Sequence, residues 1–265
     1  MNFFQALIAS GVFIFAFMTA IWIASLILKN TSIVDIFWGL GFVLTSWLVF
    51  LIANPNPDIF KLILLSLVSI WGLRLSIYIF IRNHRKPEDF RYKAWREEHG
   101  PNWWWYSFFQ TFLLQGLFMW IISTPLSAAF ISTKQSFIPI AIIGLILWII
   151  GFYFEAMGDY QLSRFKSNPS NKGKVLDTGV WRYSRHPNYF GDSAQWWGFF
   201  ILAASFGAYW TIYSPILMTL LLLRVSGVTL LEKTLKETKP QYKEYIETTS
   251  SFIPWFPKKK ENNSK

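Results

Sequence analysis

FIPIAIIGLILWIIGFYFEAM, residues 137–157, carries a single charged side chain, Glu155, in a run long enough to cross a bilayer. A hydrocarbon core takes roughly 20 apolar residues of helix. Runs of that kind recur near residues 3–28, 33–53, 60–81 and 107–130. Two shorter ones, 191–204 and 208–223, are joined by Ser205, Phe206 and Gly207, a spacing that fits a tight helical hairpin. The pattern predicts an all-α integral membrane protein, a bundle of seven transmembrane helices.

Composition points the same way. With 53% hydrophobic, 20% aromatic and 15% charged residues, the chain is too apolar for an ordinary soluble domain. Cysteine is absent, which excludes disulfides and thiolate metal sites, and the histidines, His84, His99 and His186, are scattered. No metal is expected. Met1 to Ala6 carries no Lys or Arg, and the apolar run that follows is too long for a signal-peptide core, so it reads as the first span.

Orientation follows from the basic residues, which concentrate in cytoplasmic loops. With the N-terminus outside, 22 of the 25 Lys and Arg fall on inner segments, Lys61 and Lys134 fall outside, and Arg74 lies within the third span. The expectation is therefore an outer N-terminus, a cytoplasmic C-terminus and a multi-pass protein of a bacterial inner membrane or endoplasmic reticulum. The net charge of +10 is then explained by a solvated face against anionic membrane lipid. No nucleic-acid motif competes with that reading. The chain has no internal repeat and is read as one domain, 1–265, with helices for the substrate over 1–130 and a cofactor-binding half over 131–265.

Ionisable groups at membrane depth are costly and point to function, with pairing inside the bundle as the alternative. Asp35, Arg74, Tyr78, Glu155, Asp159, Asp192 and Arg224 are such groups. Arg74 and Tyr78 share a helix face. Two inner segments, 82–106 and 158–190, are too long to be mere connectors. The second combines Asp159, Arg164, Lys166, Lys174, Arg182, Tyr183, Arg185, His186 and Asn188 just before Asp192. A helix beginning at Gly191 would aim free N–H groups at an anion, and arginines hold phosphate oxygens in pairs. A nucleotide cofactor meets that demand. A structured juxtamembrane loop with its usual basic residues is the plainer account.

Arg-His-Pro-Asn-Tyr-Phe-Gly-Asp at 185–192, with Asp159-Tyr160-Gln161-Leu162 before it and Leu223-Arg224-Val225-Ser226-Gly227 after it, resembles the steroid 5α-reductase family and its bacterial DUF1295 relatives. Likeness to the latter extends to Asp35-Ile36-Phe37-Trp38-Gly39 and Leu230-Leu231-Glu232. The resemblance implies an NADPH-dependent reductase with a lipophilic enone substrate, such as a 3-oxo-Δ4-steroid. It implies Tyr78, ahead of Arg82-Asn83-His84-Arg85, as catalytic tyrosine. Asp35 then stands where animal members carry a glutamate, one methylene longer. Asp159, Asn188 and Asp192 match the family's cofactor-binding residues, and Arg182, Tyr183 and Arg224 fall at cofactor-contacting positions. Arg164, Lys166, Lys174 and His186 complete the expected set. Gln115-Gly116 resembles a pair in the family's fourth helix.

The chemistry is consistent with that set. Reducing an enone builds negative charge on the carbonyl oxygen, and a tyrosine hydroxyl backed by a carboxyl supplies a donor there. Membrane methyltransferases that use S-adenosylmethionine offer a different enzyme reading. Isoprenylcysteine carboxyl methyltransferase shares an Arg-His-Pro-x-Tyr-x-Gly core and a tail like Glu232 with Tyr242 and Tyr245. Asp192, the Asp159-x-x-Leu162 motif and Tyr78 favour the reductase. A non-enzymatic lipid-binding protein is the third reading.

Overall fold

A computed structural model describes residues 2–53, 58–225, 228, 232, 235, 239 and 241–258. Among the described residues the regular structure is helical, and the contacts group the chain into two compact units.

The first unit comprises Met1–Ala141 and Leu202–Ser214. Its opening helix, α1 (Phe3–Leu28), starts at a reciprocal cap in which the Asn2 and Gln5 side chains each accept the other's backbone N–H at 2.9 Å. It stops at Lys29, whose left-handed φ of 50° ends the helical ladder. A short 3₁₀ turn, Thr31–Ile33, leads into α2 (Val34–Ala53). α3 (Ile59–Asn83) is capped by Asp58, which accepts from Phe60 N at 2.8 Å. α2 and α3 pack through Gly39 and Gly72, where a Cβ on either would fall on the other's backbone. The segment 82–106, expected as a loop, folds in part as α4 (Phe90–His99), capped by Asp89 and stopped at Gly100 with φ +52°. Then α5 (Trp103–Ser107), a π-helical stretch (Phe108–Leu113) and α6 (Leu114–Ile122) run on to α7 (Thr124–Ile131) with a bend of 41°. Pro125 lies just past the break and removes one rung of the ladder.

Lys61, read from the sequence as an outer-loop residue, lies in the first turn of α3 with its side chain buried. Its ammonium donates to the Ser132 carbonyl at 2.6 Å and faces the Phe206 ring at 5.5 Å. A buried lysine persists where acceptors and ring faces replace its water.

The second unit comprises Ile142–Ile201 and Pro215–Lys265. It holds α8 (Ile138–Ser167) from Ile142 on, and α9 (Pro187–Ser205) up to Ile201. It also holds α10 (Tyr213–Leu220) from Pro215 on, a π stretch (Leu221–Val225) and α11 (Tyr242–Thr248). α8 runs ten residues past the apolar stretch ending at Met157, so Asp159 and Arg164 are helical rather than looped. α9 begins at Pro187, not at Gly191, because proline's fixed φ and missing N–H suit a first helical position. Asp192 therefore sits more than a turn inside the helix and does not cap it. Gly191 instead serves packing: a Cβ there would strike the Gly151 carbonyl oxygen and Glu155 N of α8.

Among the described residues four helices are long and apolar enough to cross a membrane: Phe3–Leu28, Thr31–Ala53, Ile59–Asn83 and Ile138–Ser167. The bent pair Phe90–Ile122 and Thr124–Ile131 makes a fifth if taken as one span. The runs at 191–204 and 208–223 are helical, but α9 opens on polar residues and α10 is only eight residues long, so neither joins that set.

Candidate functional site

In the first unit the polar centre is Asp35, in the first turn of α2, with 20% of its side chain exposed. Tyr92, on α4 and 4% exposed, donates from its hydroxyl to Asp35 Oδ1 at 2.7 Å. Arg91 Nη2 reaches Asp35 Oδ2 at 3.3 Å while its Nε binds Asp89 Oδ1 at 2.9 Å. Gln115 of α6 donates to the Tyr92 oxygen at 3.3 Å. Asp35, Tyr92, Arg91 and Gln115 from three helices, with the cap residue Asp89, thus form one hydrogen-bonded chain, which can hold or pass a proton. The end of α4 is tied down by Arg96, which pairs with Glu88 at 2.9 Å, while Glu88 also accepts from Thr31 N at 2.6 Å. Burial pushes the Glu88 carboxyl up, but the Arg96 guanidinium and the Thr31 donors together hold it below the usual carboxylate range.

Tyr78 and Arg74 lie half-buried on α3, and the Arg82 guanidinium stands 5.7 Å over the Tyr78 ring. The tyrosine whose hydroxyl meets Asp35 at 2.7 Å is Tyr92, which sequence reading did not single out. Its signal is faint: one tyrosine among Arg91, Lys93, Arg96 and Glu97, on a helix with a mostly solvated face.

In the second unit Asn188, in the first turn of α9, donates from its side-chain amide to Asp159 Oδ1 of α8 at 3.1 Å. Gly158 makes the approach close, since a Cβ there would lie 3.1 Å from Asn188 N. Trp181 Nε1 donates to the Gly158 carbonyl at 3.1 Å, and Gln161 accepts from Val180 N at 3.0 Å. The Gly179–Arg182 turn is thereby fixed against α8. Arg164, Lys166, Lys174, Arg182 and Arg224 are exposed. Arg164 reaches the Tyr160 hydroxyl at 3.4 Å, and the Tyr183 ring meets Phe256 edge-on at 6.1 Å. Asp192 is buried.

His186 belongs to a second centre. Arg185 pairs with Glu232 Oε1 at 2.7 Å, and His186 Nε2 stands 3.4 Å from the same oxygen. Arg185 Nη1 also donates to the carbonyls of Ile246 at 3.1 Å and Thr249 at 2.6 Å, filling acceptors that α11 leaves open at its end. The Tyr245 hydroxyl donates to the Trp181 carbonyl. Burial raises the Glu232 carboxyl, but hydrogen bonds from His186 and Arg185 outweigh it and bring the group to about 2. Of the flanking stretches singled out in the sequence, Ser226, Gly227, Leu230 and Leu231 lie outside the described residues. No group of three or more potential metal ligands occurs among the described residues.

Long apolar helices and buried polar clusters of this kind define a helical membrane protein. Residues 21–249 match the family described as "Protein of unknown function (DUF1295)", and the chain belongs to it. It is similar to the Uncharacterized protein C594.04c of Schizosaccharomyces pombe, 26% identical over an alignment of 263 positions that covers 88% of this chain and 75% of that protein. No solved structure matches.

Proposed function

We propose that this protein is an NADPH-dependent reductase of a carbon–carbon double bond conjugated to a ketone in a lipophilic substrate. The observation that carries the reading is Asp35, held by Tyr92 and Arg91 in the first turn of an apolar helix. A carboxyl set in such a place and wired to a phenol and an amide suits proton delivery. In this reading Tyr78 is the donor to the substrate carbonyl oxygen, Asp35 is the acid behind it, and Tyr92 with Gln115 orients that acid.

The second unit suits the cofactor by its donor chemistry. Arg164, Lys166, Lys174, Arg182 and Arg224 are exposed cations that can meet phosphates, while Asp159 and Asn188 offer a carboxylate and an amide for hydroxyl groups. A bound nicotinamide nucleotide would supply the reducing equivalent. The bundle crosses the membrane seven times with its N-terminus outside, a multi-pass arrangement supported by the division of basic residues. Its partners are the substrate and membrane lipid.

One observation favours a second reading. Glu232 binds both Arg185 and His186, which joins the Arg-His-Pro core to the tail, the two stretches whose likeness to membrane methyltransferases suggests that reading. Titration of the purified protein in nanodiscs decides between them. NADPH binding together with NADPH oxidation on adding a 3-oxo-Δ4 compound supports the reductase. S-adenosylmethionine binding without NADPH binding overturns it.

A further inference from the structure

Within the second unit, beyond the last apolar turn of α8, a cavity of about 330 Å³ opens between that helix, the loop after it and the chain at Lys239. Leu162, Phe165 and Leu176 line it as an apolar wall, and Lys166 and Lys172 of the 162–173 segment line it together with Lys239 from far along the chain. The loop is not loose. Asn168 accepts from Ser170 N at 3.0 Å to cap the Pro169–Asn171 turn, Asn171 donates to the Phe165 carbonyl at 3.0 Å, and Gly173 takes the left-handed φ of +83° that turns the chain. Lys239 donates to the Lys174 carbonyl at 2.6 Å, which pins the third cation against the same loop. Burial lowers the Lys239 ammonium, so its charge is held there at a cost.

Lys172 and Lys239 carry like charges to one hollow, and each raises the cost of the other. A dianion entering the hollow reverses that sign for both at once. Lysine suits such a ligand because its ammonium is a compact charge with donors that swing to meet phosphate oxygens. The apolar wall calls for a ligand with an organic body beside the charge.

We infer that the hollow bounded by Lys166, Lys172 and Lys239 is a binding site for a phosphate monoester carried on an apolar or aromatic body. Two molecules offer that chemistry. One is a nucleotide with a 2′-phosphate, the arm that rests on the reductase reading. The other is phosphatidate, whose headgroup lies where an apolar helix leaves the bilayer, and that arm is independent of the reading.

Both arms compare a monoester with its nearest partner lacking one. The full-length protein is placed in phosphatidylcholine nanodiscs and titrated with NADPH and NADH, then reconstituted with phosphatidate or phosphatidylglycerol and assayed for lipid retention. The site predicts a preference for the monoester of about tenfold or more in one arm, the worth of a charge-assisted contact. In the Lys172→Gln/Lys239→Gln protein that preference falls to within about threefold, while the protein still unfolds in one cooperative transition. No preference in either arm for the wild-type protein overturns the inference, as does a preference that survives the double substitution. Binding of both nucleotides without discrimination excludes the nucleotide as the ligand of this site and leaves the cofactor assignment standing, whereas binding of neither removes the cofactor assignment; in both cases the lipid arm decides the site.

Discussion

The Tyr92 hydroxyl donates to Asp35 Oδ1 at 2.7 Å, linking α4 to the first turn of α2 across 57 positions of sequence. The contact gives the carboxylate a fixed donor on one oxygen while Arg91 faces the other at 3.3 Å. Tyr92→Phe removes the donor and keeps the ring. Thermal unfolding in nanodiscs should show a loss of roughly 2 kcal/mol, the cost of leaving a carboxyl oxygen in an apolar setting without its donor. An unchanged unfolding temperature would mean that Asp35 finds its donor elsewhere.

Tyr78→Phe separates the catalytic reading from that of an ordinary interfacial tyrosine. If its hydroxyl meets the developing charge on the substrate oxygen, turnover falls on the order of 100- to 1,000-fold with NADPH affinity preserved. Turnover within about threefold of wild type, on a substrate the wild-type protein reduces, would remove Tyr78 from the mechanism.

Arg185 and Glu232 are an interior pair, with 8% and 14% of their side chains exposed. Glu232→Gln leaves the guanidinium without its counter-charge, and a loss on the order of 3 kcal/mol is expected in thermal unfolding. The pH dependence has a definite sign. Folding lowers the Glu232 carboxyl from 4.5 to about 2, so its stabilisation is complete above 4.5 and disappears as pH falls toward 2. Acid unfolding of wild type and Glu232→Gln should therefore converge over that interval. Parallel curves would refute the assignment.

Gly191→Ala places a methyl group against the backbone of Gly151 and Glu155. Backbone cannot swing aside as a side chain does, and a destabilisation of about 1–3 kcal/mol follows. Gly173→Ala is the control for crowding, because a Cβ there meets nothing within 4 Å and only its φ of +83° is strained. A Gly191→Ala protein as stable as wild type would show that α8 and α9 are not in close contact at this point.

Topology can be read directly because the chain has no cysteine of its own. With Lys172→Cys, an impermeant maleimide should label only from the cytoplasmic side. Labelling from the opposite side alone would invert the proposed orientation.

The first five apolar runs were legible because length and apolarity act locally: a segment that cannot be solvated must enter lipid and satisfy its own backbone as a helix. Gly191 and the charges near 159–192 could be noticed in the same way, one residue at a time. The sequence determined the class of protein, a membrane protein of apolar helices, and which polar residues lie within and beside those helices. What it could not determine was partnership. Tyr92 meets Asp35, and Arg185 meets Glu232 and the end of α11, only after separate helices have packed. The burial of Lys61 depended on the same packing. A hydrogen bond between distant residues leaves no spacing in the chain, because it is fixed by helix crossing and by the need of each buried charge for a counterpart.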